Sequence, residues 1–184
     1  MALEATFREL SVTLRQLHDA LDALNVTLGD EPEAGGSALA DGFENIVLDL
    51  IGVLHQGRRA ALNARRAVTP PMDIDRASRS LANCQDRFHQ IEQEFAGSLV
   101  SYEKLRELAR LGTERGEQWR LWANSVKLGI EQCQPCLHDA SKALAGGWKE
   151  LVEHGGKTSI SIRTENLGQK IFAQPKDMVG SSST

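Results

Sequence analysis

Cys133-Gln-Pro-Cys136 is a C-x-x-C pair with proline ahead of the second thiol, the form used by thiol oxidoreductases. That chemistry needs a low-pKa thiolate at a helix N-terminus, usually beside a βαβ pattern. Here the pair falls inside an apolar helical stripe, with Cys133 on the stripe and no strand-like segment beside it. It reads as small buried hydrophobes around a proline. A metal would need further ligands, and Cys84 and His138 are the ones the chain suggests. Haem attachment needs C-x-x-C-H, and Leu137 stands at the histidine position.

Other chemical motifs are weaker. A di-iron carboxylate centre uses Glu-x-x-His on two facing helices. No Glu in the chain precedes a His by three residues, and Asp86-x-x-His89 is a single, poorer match. Gly155-Gly156-Lys157-Thr158 has the end of a P-loop, but Leu151 occupies its first Gly position, and the strand-then-helix order fails. A glycine cap on a helix C-terminus is the better reading of Gly155. The five histidines are scattered, without spacing partners.

Arginines cluster instead. Arg58, Arg59, Arg65 and Arg66 end one helical stretch, and Arg76 and Arg79 begin the next. Residues 1–55 carry two basic side chains against ten acidic ones, a balance of −8; residues 56–90 carry seven arginines against three aspartates, a balance of +4. Such segregation bears on association rather than fold. Residues 56–87 hold no aromatic side chain for base stacking, which disfavours nucleic acid.

The elements that must carry these groups are helices. Leu3, Phe7, Leu10, Leu14, Leu17, Leu21, Leu24 and Leu28 alternate spacings of four and three, the seam of a helix lying nearly parallel to its neighbours. Gly29–Ser37 breaks the pattern. A second helix is predicted over 38–67, with Phe43, Ile46, Val47, Leu50, Ile51 and Leu54 on its core face, then Gly57, Ala61 and Ala64. Leu48 and Val53 lie off that face, so two turns are apolar nearly all round. Pro70-Pro71 ends this stretch. A third helix, capped by Asp73 or Asp75, is predicted from Ile74 without interruption to Leu111, more than about 50 Å at 1.5 Å per residue. Gly112 ends it and Thr113 caps a fourth, which carries Trp119, Trp122, Val126, Ile130, Cys133, Leu137, Ala140 and Leu144 and is kinked at Pro135. From Gly155 the pattern changes. Thr158–Arg163 alternates with period two, placing Ile160 and Ile162 on one side of a strand.

The expected fold is therefore all-α: a long up-down-up-down four-helix bundle over 1–154, with a short strand-like, partly disordered tail over 155–184. The expected function is non-enzymatic. An interaction or assembly protein would self-associate or dock a protein partner through helix two, the arginine-rich end (Arg58, Arg59, Arg65, Arg66, Arg76, Arg79) and the tail residues Ile160 and Ile162, with no cofactor or metal. Two rival readings stand beside it: a membrane-acting bundle engaging anionic lipid, and a thiol or metal site at the C-x-x-C. Three sparse cysteines and no signal-peptide pattern point to the cytoplasm.

Overall fold

The structure, a computed structural model, describes residues 2–33, 37–157 and 162. Among these it holds five α-helices and one π-helical segment, and no strand.

Helix α1 spans Ala2–Gly29, and all eight residues of its seam are buried. Helix α2, Ala38–Ala67, starts at Ser37, whose extended backbone lets its hydroxyl accept from Leu39 N at 3.2 Å. That bond satisfies one of the amides a helix start leaves without a partner. Along α2 the buried face passes from Phe43, Val47, Leu50 and Leu54 to Gly57, Ala61, Ala64 and Ala67. The switch to small side chains brings α3 close: a Cβ built on Gly57 would lie 3.5 Å from Arg87 Cβ. Helix α3, Ile74–Glu94, is capped by Asp73, whose carboxylate accepts from Arg76 N at 2.9 Å.

The uninterrupted third helix is not found. After Glu94 the chain forms a π segment, Phe95–Leu99, in which Val100 N reaches back five residues to Phe95 O at 3.1 Å. Ser101 then turns extended and caps a separate helix α4, Tyr102–Glu114, accepting from Lys104 N at 3.4 Å. A π turn accommodates one extra residue, so the inward phase slips across it. Tyr102, seven residues after the buried Phe95 and so on its face in a regular helix, is 77% exposed, while Leu108 and Gly112 face in. The boundary expected at Gly112–Thr113 also moves. Both residues lie within α4, the Thr113 hydroxyl donates to Ala109 O, and Gly116 with φ +98° starts helix α5, Glu117–Glu153. The positive φ suits glycine alone among common residues at low cost.

Helix α5 runs through Pro135, which is exposed; the Glu131 carbonyl it leaves without a helical donor therefore lies on the solvent side. The helix ends as expected on Gly155. With φ +83° there, Gly155 N donates to Val152 O at 3.0 Å and Gly156 N to Leu151 O at 2.7 Å, the paired bonds of a Schellman cap.

Helix α1 packs against α2 on one side and α5 on the other, α2 also against α3, and α5 also against α3 and α4. The α1–α5 pair is antiparallel, since Gly146 lies against Thr6 and Gly129 against Leu24. At one end Trp122 Nε1 donates to Thr27 O at 3.0 Å. One hydrophobic core runs the length of these helices, from Leu3 and Leu151 to Leu28, Phe43 and Trp119.

Ile160 lies outside the described residues. Ile162 is described, with a helical backbone and 2% exposure; the rest of the strand-like segment lies outside the described residues.

Candidate functional site: an arginine groove between α1 and α2

On α2, His55, Arg58, Arg59, Leu62 and Arg65 recur at three- and four-residue steps and so share one face. That face meets Ser11 and Arg15 of α1. Together the seven residues line a groove of about 280 Å³. It brings four guanidinium groups together from two helices. Among the described residues none of the four is in an ion pair, whereas Arg8 pairs with Glu4 at 3.5 Å on the same helix. Carboxylates are absent from the lining.

The chemistry available is anion recognition. Guanidinium is planar, permanently charged, and matched to carboxylate or phosphate through paired N–H donors. No nucleophile is set up in the groove: the Ser11 hydroxyl donates to Phe7 O of its own helix at 2.9 Å. Leu62, 40% exposed, adds an apolar rim. Arg59 also borders a second groove, about 620 Å³, between α2 and α3, with Asn63, Asn83, Asp86 and Arg87.

Three of the six arginines singled out from sequence thus come together. Arg66, Arg76 and Arg79 are exposed and do not line this groove. Arg15, Ser11 and His55 were not singled out. A signal for them existed: the 29–37 break makes α1 and α2 an antiparallel hairpin, which sets residue 15 opposite residue 55.

The thiols are placed against redox work. Cys133 is fully buried, roughly four turns into α5, not at a helix N-terminus. Burial pushes its thiol up to about 12, with the neighbouring Cys136 adding to the rise. Burial does the same to Cys84, also to about 12. Cys136 is half-buried; burial and then the Asp139 carboxylate raise its pKa, and its thiol lies 3.6 Å from Gln132 O. Among the described residues no three His, Cys, Asp or Glu side chains gather where a metal could sit. No helix of the described residues is long and apolar enough to cross a membrane.

Comparison of the chain with models of protein families, with curated proteins and with solved structures finds no match.

Proposed function

We propose that this protein is a non-enzymatic interaction module whose α1–α2 groove docks an acidic segment of a protein partner. The observation that carries the reading is the gathering of Arg15, Arg58, Arg59 and Arg65 in one groove without a counter-carboxylate. Like charges held together oppose folding, so such a cluster is better matched to a partner that neutralises it. The bundle is the rigid frame for it. On this reading α3, the π segment and α4 form one interrupted limb. It starts beside Ala67, where Asp73 N donates to Ala67 O, and returns to the start of α2, where Lys104 Nζ lies 5.4 Å from the centre of the Phe43 ring. The bundle then has four limbs running up, down, up and down.

A labelled polyglutamate peptide tests the groove by fluorescence anisotropy. Binding should weaken as salt rises, because exposed charges are screened over about 8 Å at physiological ionic strength. It should be lost in Arg15→Glu/Arg58→Glu/Arg65→Glu and retained in Arg76→Glu/Arg79→Glu. Equal binding by all three proteins, or none by the wild type, removes the reading. Vesicles of anionic lipid that bind where the peptide does not would transfer the groove to the membrane-acting alternative.

A further inference from the structure

The α1–α2 hairpin is polarised along its length. Between Gln16 and Gly57 there is no Lys or Arg, while Asp19, Asp22, Asp41 and Glu44 lie toward the end where the two helices are joined. Asp19 and Asp22 keep 70% and 52% of their side-chain surface exposed and, among the described residues, pair with His18 at 4.0 and 3.0 Å. The arginine groove occupies the opposite half. Between the two on α2 lies an apolar stretch: Leu48 is 47% exposed and Ile51 is half-buried.

We infer that the acidic segment the groove takes is the acidic half of this same hairpin in a second copy of the chain, the two hairpins lying antiparallel face to face. The inference rests on the groove reading above and names its partner. Three features support it. Glu44 and Arg58 are fourteen residues apart on one helix, about 21 Å. A two-fold axis passing midway, at Ile51, would therefore set Arg58 of each copy opposite Glu44 of the other, at both ends at once. Such an interface is self-complementary, as a two-fold contact between identical chains must be. The exposed Leu48 then lies one turn from the axis, at the centre of the interface, where apolar anchors do most. The area is also adequate: a helix pair about 40 Å long and about 20 Å wide covers about 800 Å², the share per partner of an ordinary stable interface.

Charge exchange tests it. In the antiparallel pairing, full-length Arg15→Glu/Arg58→Glu/Arg65→Glu sets carboxylates against the partner's carboxylates at these positions, and Asp22→Arg/Asp41→Arg/Glu44→Arg sets guanidinium groups against guanidinium groups. By sedimentation velocity the wild type should dimerise in a concentration-dependent way, with Kd rising at least about tenfold between low and high salt. Each variant alone should be monomeric, and an equimolar mixture should form a 1:1 heterodimer. Leu48→Asp should weaken the wild-type dimer without loss of helicity. Circular dichroism checks each variant, and neutral replacements, Arg→Gln and Asp→Asn with Glu→Gln, substitute for any that fails to fold, with loss of dimer then the expected result. A wild type monomeric to about 100 µM overturns the inference. So does a dimer indifferent to both charge sets, or a mixture that stays monomeric. The groove reading survives that failure if polyglutamate still binds in an arginine-dependent way, and falls if it does not.

Discussion

The buried thiols make a sharp pH prediction. Cys84 and Cys133 have pKa values pushed up to about 12 in the folded chain, against 9.0 for an unhindered thiol. At pH 8 a thiol of pKa 9 is roughly 9% thiolate, and one of pKa 12 roughly 0.01%. Alkylation through the native state should therefore be on the order of 10³ slower at Cys84 and Cys133 than at an unhindered thiol, and Cys136 should label first. The same shifts affect stability. Above pH 9 the unfolded chain releases thiol protons that the folded chain keeps, so the unfolded state binds fewer protons and stability falls as pH rises. The contribution is fully present below pH 9 and is lost on the way to about 12. The slope is about 1.4 kcal/mol per pH unit for each thiol, so at pH 10.5 the pair should cost about 4 kcal/mol. Urea unfolding at pH 8 and pH 10.5 measures it, with Cys84→Ala/Cys133→Ala as reference. The double variant should be somewhat less stable at pH 8 and lose about 4 kcal/mol less on going to pH 10.5. Cys133 alkylating as fast as Cys136 in the folded protein, or identical pH dependence in the two proteins, would refute the burial reasoning and reopen thiol chemistry at the pair.

Other outcomes follow from packing. Gly52 has no atom within 4 Å of a built Cβ, so Gly52→Ala should raise stability by up to about 1 kcal/mol through helix propensity, read from the urea midpoint. Gly112→Ala should do the reverse, by about 1–2 kcal/mol, because its Cβ would meet the Arg120 Cα at 3.1 Å and backbone cannot turn aside. Trp122→Phe removes the donor that serves Thr27 O at the end of α1, a helix with no basic residue in its last turn. Its loss should cost about 1 kcal/mol and speed hydrogen exchange in the last turn of α1. Ile162→Ala should lower stability by about 2 kcal/mol because the side chain is buried; an unchanged melt would show that residue 162 packs against nothing that matters.

Much of the fold was legible because one signal dominated it. The four-three seam of α1 needed only counting, and the bounds of α2 follow from Ser37 and the Pro-Pro pair. The end of α5 was legible in Gly155 because a left-handed cap demands that residue type. The break inside the third limb was not. Phe95, Leu99, Tyr102 and Leu105 keep near-helical spacing on paper, and only the five-residue bond from Val100 to Phe95 shows the phase slip. Gly112 misled for a related reason. It is small because Arg120 and Ala123 of α5 approach it closely, not because the helix stops there. For the groove, charge clustering identified Arg58, Arg59 and Arg65. It could not separate them from Arg66, which follows Leu62 by four residues yet does not line the groove, or add Arg15, which is remote in sequence and adjacent only through the hairpin.

The π segment also sets how this chain tolerates changes in its length. One residue inserted into a regular helix rotates everything after it by about 100°, which would carry the α4 face away from α5. Here the rotation is already present and its phase is reset by the Ser101 cap, so α3 and α4 are registered independently. Loss of a single codon between Phe95 and Leu99 would leave the wide turn a residue short and let α3 wind on as an ordinary helix. Insertions and deletions at that point act as a rotational adjustment of α4, whereas the same change within the unbroken seam of α1 would turn half its leucines to water.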